Sequence, residues 1–122
     1  MRSIYPVLRY PDASAAIDFL RSAFDFTLHE VHAGPDGTVR HAQLGYGDDL
    51  VMLATGPALP VRPADDDYRV YVAVDDVDAH HERARAAGAE IIHAPFDTDY
   101  GSRDYVARDP AGFVWSFGTY RP

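Results

Sequence analysis

His41 and Gln43 are the residues whose types and spacing most readily support chemistry. Two positions apart in an extended run, they share one face while Ala42, Leu44 and Tyr46 take the other. An imidazole beside an amide can recognise a polar ligand or act as a general base near neutral pH. As metal ligands, one His and one amide make a weak set. The remaining histidines have plainer readings. His29, His32 and His93 lie near strand ends, where solvated or packing imidazoles are the commoner case, and His80 and His81 fall on a helix. His81 follows Val77 by four and precedes Ala84 by three, the spacing of a half-buried core position. No Ser-His-Asp arrangement, phosphate loop or Rossmann glycine pattern is visible, and no catalytic residue is assigned.

The elements that position these residues must fit a chain of 122 residues, one ordinary domain. A chain of that size buries roughly two thirds of its unfolded surface. Without cysteine it has no disulfide, thiolate metal site or cysteine nucleophile, which fits a cytoplasmic protein. The N-terminus reaches Arg9 and Asp12 after a short apolar run, too short for a signal-peptide core or a membrane span. Lys+Arg 11 against Asp+Glu 19 gives a formal charge of -8, which repels nucleic acid and anionic membranes. The expected partner is a small molecule, with no nucleic acid and no membrane.

Ser3 to Tyr10 reads as a strand, with Pro6 near its start placing it at a sheet edge. Asp12 or Ser14 caps a helix carrying Ala16, Ile17, Leu20, Ala23 and Phe24 at helical spacing and ending near Asp25. Strands are expected at Thr27 to Ala33, Val39 to Tyr46 and Leu50 to Thr55. From Gly56 to Asp67, three prolines and three consecutive acids suit neither helix nor central strand and read as a linker. Beyond it come a strand at Tyr68 to Val74, a helix capped by Asp76 that runs to about Ala87 with Gly88 as its stop, and strands at Glu90 to His93, Arg103 to Arg108 and Phe113 to Thr119. The last two flank Asp109-Pro110-Ala111-Gly112, a type I turn signal. In the final strand Phe113, Trp115 and Phe117 share one face, and Val114, Ser116 and Gly118 the other.

Each half is β-α-β-β-β. Tyr10-Pro-Asp12 aligns with Val74-Asp-Asp76 at an offset of 64, and Val51 to Ala54 with Val114 to Phe117 at 63, so one residue of slip covers the module. The expected organisation is 1–55 first module, 56–67 linker and 68–122 second module, together one compact domain. A ferredoxin-like α+β sandwich uses similar elements but explains neither the repeat nor the linker. Pairing two modules, within a chain or between chains, covers the sheet face each leaves bare, and a homodimer is expected.

The runs Tyr5 to Phe26 (YPVLRYPDASAAIDFLRSAFDF), Gly34 to Leu44 (GPDGTVRHAQL) and Asp97 to Tyr105 (DTDYGSRDY), with the closing hairpin, resemble the small glyoxalase/bleomycin-resistance-like proteins of the vicinal oxygen chelate superfamily. The resemblance covers almost the whole chain. It implies an α+β fold in which two βαβββ modules form a curled mixed sheet around a cavity, with the helices outside. Metal-dependent members place His, Gln or Glu on the first strand of each module and Glu near the end of its last strand. Here those positions fall on Tyr5, Arg69, Leu53 and Ser116, none a usual divalent-metal ligand, and a slip of one residue rescues nothing. No metal and no cofactor are expected.

On that fold Tyr5, Val7, Arg9, His41, Gln43, Leu53, Arg69, Tyr71 and Ser116 point into the cavity, and Tyr100, Arg103, Tyr105 and Tyr120 lie around its mouth. Aromatic walls with arginines suit a planar, aromatic or partly anionic molecule held by stacking and guanidinium contacts. The plainer alternative is that the tyrosines are ordinary strand residues and the arginines pair with Asp104 or other surface acids. The expected function is metal-free binding of such a molecule, of the kind that protects a cell from a toxic compound. The alternative is a lyase, isomerase or dioxygenase of the same superfamily, using unexpected metal ligands or His41 as base.

Overall fold

The computed structural model describes residues 2–60, 64 and 68–122. The element order is β1 (Val7–Tyr10), α1 (Ala13–Phe24), β2 (Thr27–Ala33), β3 (Val39–Tyr46), β4 (Asp49–Thr55), β5 (Val70–Ala73), α2 (Val77–Ala86), β6 (Glu90–Asp97), β7 (Arg103–Arg108) and β8 (Val114–Gly118). The chain divides into two compact units, Met1–Leu59 and Pro60–Pro122. The expected linker spans that division, and its residues 61–63 and 65–67 lie outside the described residues.

Each unit is a four-stranded mixed sheet with one helix, in the order β1-β4-β3-β2 and β5-β8-β7-β6. The parallel pair is β1 with β4 in one unit and β5 with β8 in the other, and the remaining neighbours are antiparallel. The fold class is therefore the expected one, a repeated βαβββ unit built into two open sheets.

Both helices start where an aspartate can satisfy a free N–H. Ala15 N donates to Asp12 Oδ1 at 3.0 Å, and Ala79 N to Asp76 Oδ1 at 3.0 Å. The first helix ends on Asp25 in the left-handed region (φ 65), and the second is followed by Gly88 at φ 93. Two strand boundaries differ most from the sequence reading. The first strand begins at Val7 because Pro6 has no N–H to offer a ladder, although its carbonyl still accepts from Met52 N at 2.9 Å. The sixth runs on past His93 to Asp97, where register shifts accommodate Pro95 at the sheet edge.

One face of each sheet is packed under its helix. In the first unit Leu8, Ala42, Leu44 and Leu53 are buried with Ile17, Leu20 and Phe24 of α1. In the second, Tyr105, Trp115 and Phe117 are fully buried, with Tyr105 and Phe117 stacked at 5.0 Å and Trp115 and Phe117 at 6.4 Å. The histidine of α2 that enters this core is His80, one residue before the expected His81. Its Nδ1 lies 2.5 Å from Tyr105 Oη and its ring 4.4 Å from Phe117, while His81 is half-buried and meets Tyr105 edge-on.

The β7–β8 turn is held by Asp109. Gly112 N donates to Asp109 O at 2.9 Å, closing the turn. Asp109 Oδ1 accepts from Ala111 N and Phe113 N, both at 3.0 Å, and Oδ2 from Trp115 Nε1 at 3.1 Å, so one buried carboxylate fixes both the turn and the indole of the core.

Candidate functional site

Alternation along each strand leaves a second set of side chains on the sheet face turned away from the helix. In the first unit that set contains Val7 and Arg9 of β1, Met52 of β4, and His41 and Gln43 of β3. Opposite them on β2, Glu30 pairs with Gln43 and His32 with His41. His41 Nε2 lies 3.2 Å from Gln43 Nε2, His32 Nε2 lies 3.2 Å from Glu30 Oε1, and the two imidazole rings are 6.1 Å apart. A bulge after Leu28 brings His29 over Gly45, where any Cβ would collide with the ring. Arg9 runs across Gly56, which has no room for a side chain there, and it forms no ion pair among the described residues.

In the second unit the same face carries Tyr71, Ser116, Val106 and Asp104, since Tyr71 pairs with Ser116, Ser116 with Val106, and Gly118 with Asp104. Asp104 is only 8% exposed. Its Oδ1 accepts from Ser102 Oγ at 3.1 Å, and Ser102 Oγ in turn lies 2.9 Å from Thr98 Oγ1. A methyl at Gly118 would strike Asp104 Oδ1 and come within 2.7 Å of the Tyr71 hydroxyl, so glycine lets both polar groups lie against the sheet. Tyr71 Oη donates to Tyr120 O at 2.8 Å. Burial, and then the nearby Asp104 carboxylate, raise the Tyr71 phenol above its ordinary value of 10.0.

Of the residues expected to point inward, Val7, Arg9, His41, Gln43, Tyr71 and Ser116 occupy these faces. Tyr5 and Arg69 lie just before β1 and β5, in phase with Val7 and Tyr71. Leu53 does not join them. It is fully buried beside Leu8 and Ala42 under α1, and Met52 takes the place expected for it. The reason is turn length. Tyr46 pairs with Asp49 across two residues, whereas Arg108 pairs with Val114 across five. The β3 and β7 positions that meet Leu53 and Phe117, Ala42 and Tyr105, are therefore 63 residues apart, while Met52 and Ser116, like Val7 and Tyr71, are 64 apart. The slip seen in the sequence lies in the strand before the hairpin, not in the strand after it.

The four residues placed at the mouth also divide. Tyr100 is 68% exposed and meets Tyr120 edge-on at 5.9 Å. Arg103 points to the helix side, where it donates to Asp78 at 3.0 Å and to Asp97 at 3.1 Å. Tyr105 belongs to the core with His80, since it pairs with Phe117 and shares its face. Met52, Val106 and Asp104, with Glu30 and His32 on β2, are face residues that sequence reasoning missed. The signal for Asp104 was its even spacing with Val106 opposite Ser116, and the expectation that it sat at the surface hid it.

The residues present do not fit a divalent metal. With Met52 in place of Leu53, the four positions hold Tyr5, Arg69, Met52 and Ser116, a cation and three weak neutral donors. Among the described residues, no group of three or more His, Asp or Glu side chains stands close enough to hold an ion.

A repeated βαβββ unit with polar groups on the helix-free sheet faces defines a class, and the sequence agrees. Residues 3–117 match the Glyoxalase/Bleomycin resistance protein/Dioxygenase superfamily, and the chain belongs to it. It is 36% identical over 124 residues to the uncharacterized protein Rv0887c of Mycobacterium tuberculosis, a match covering 95% of this chain and 73% of that one. It is 32% identical over 121 residues to the anthracycline biosynthesis protein DnrV of Streptomyces peucetius, covering 88% of this chain and 44% of that protein. Among solved structures, TioX from Micromonospora sp. ML1 superimposes with a TM-score of 0.78 at 35% identity, over 99% of this chain and 98% of that chain.

Proposed function

We propose that the chain binds a small, planar, polar organic molecule on its helix-free sheet faces, without a catalytic metal. The observation that carries this reading is the composition of those faces: they present imidazoles, an amide, a tyrosine, a serine and Arg9, which forms no ion pair among the described residues, while the four positions that hold the ligands of metal-dependent relatives carry Tyr5, Arg69, Met52 and Ser116. Arg9 and Arg69 suit acceptor groups of the ligand, while Arg103, bound to Asp78 and Asp97, no longer argues for an anionic one. The name of DnrV, a relative from antibiotic biosynthesis, is in keeping with an aromatic natural product as ligand. The protein is further proposed to be a cytoplasmic homodimer.

Elemental analysis of protein purified without chelator tests the metal-free part directly. Less than about one tenth of an equivalent of Zn, Ni, Mn or Fe per chain is expected. One tightly held metal per chain would overturn the reading and favour a lyase, isomerase or dioxygenase of the superfamily.

A further inference from the structure

Among the described residues, Asp104 is a carboxylate with no cation bound to it. It is more than nine-tenths buried, and burying a charge is costly unless an opposite charge or several donors compensate it. Oδ1 has one donor, Ser102 Oγ, and Oδ2 has none among the described residues. The adjacent Arg103 is engaged with Asp78 and Asp97, and Arg121, which acts on the nearby Tyr71, donates to Asp75 at 3.1 Å.

Two aromatic residues neighbour the carboxylate. Phe96, 41% exposed, is its cross-strand neighbour on β6, and the Tyr71 hydroxyl lies beside it over Gly118. Tyr71 is fastened through Tyr120, whose ring meets that of Tyr100. A buried carboxylate flanked by aromatic rings is the chemistry that recognises an organic ammonium, through a charge-assisted hydrogen bond and cation–π attraction.

We propose that Asp104 is the residue through which this face selects a ligand bearing a protonated amine. The inference rests on the binding role proposed above and narrows its ligand class. A purely structural role, anchoring the 98–102 loop through Ser102, makes a different prediction. Asp104→Asn keeps an oxygen to accept from Ser102 while removing the charge, whereas Ser102→Ala removes the anchor and keeps the charge.

The test uses three probes that differ only at the end of one chain: phenethylamine, phenylpropionate and phenylethanol. Each is titrated into the full chain while backbone amide NMR shifts are followed. Phenethylamine is expected to bind at least about tenfold more tightly than the other two, with shifts at Tyr71, Phe96 and Ser116. Asp104→Asn should lower its affinity about tenfold or more and erase the preference, and Ser102→Ala should preserve the preference. If phenylpropionate or phenylethanol binds these residues as tightly as the amine, or if Asp104→Asn leaves the amine's affinity unchanged, the selection role is overturned while the binding role stands. If none of the probes shifts residues on either helix-free face at millimolar concentration, both are overturned.

Discussion

Tyr71 and Asp104 lean over the same glycine, and each alters what the other can do. The raised phenol of Tyr71 comes first from burial and second from the Asp104 charge. A group whose folded value is raised contributes stability below its unfolded value, here the ordinary tyrosine range near 10.0, and loses it as pH rises through the folded one. Ultraviolet titration of the tyrosines should therefore show one that ionises after the freely exposed ones. Asp104→Asn should move that step down only part of the way, since burial remains. A step unmoved by Asp104→Asn would mean that the two groups do not communicate. At this scale the sequence was informative wherever strand alternation alone decides orientation. Tyr71, His41, Gln43 and Ser116 were legible for that reason. Arg103 and Tyr105 were not, because their face depends on how the strand pairs across a five-residue turn, and no local pattern specifies that register.

The β7–β8 hairpin is the element that separates stability from binding. Trp115 is 0% exposed, stacks on Phe117 and donates to Asp109, while its neighbour Ser116 faces the other way. Trp115→Ala should cost about 3 to 5 kcal/mol in chemical denaturation, since the cavity left by the ring cannot fully collapse. Affinity for phenethylamine in the folded fraction should change little. Ser116→Leu should do the opposite, weakening the probe while costing about 1 to 3 kcal/mol from crowding. Loss of binding in Trp115→Ala with an unchanged unfolding transition would contradict this orientation of the strand. The helices were legible from capping aspartates and apolar spacing. The edge strands were less so: β2 and β6 both carry register shifts, which no alternation pattern announces. Those bulges also make each a poor template for a further strand, so the outer edges of both sheets resist indiscriminate pairing.

For the whole molecule, the repeat was the most legible feature, because two helix caps 64 residues apart and matching strand runs fix a duplicated unit without any knowledge of contacts. Association was not legible in the same way, since burial between copies leaves no periodic trace. Light scattering across working concentrations should report twice the 13.5 kDa chain mass, and a monomer throughout would remove the homodimer proposal. The unequal hairpins have a consequence for how such a duplicated chain can be recombined. A crossover that replaces β3, its turn and β4 together with their counterparts preserves which residues meet the helix. One that joins β3 to β8 at a constant spacing carries the last strand one place out of phase, bringing serine and glycine under the helix and turning tryptophan outward. Whole hairpins are thus the interchangeable parts of this protein, and the length of a surface turn sets which side of a strand a ligand can meet.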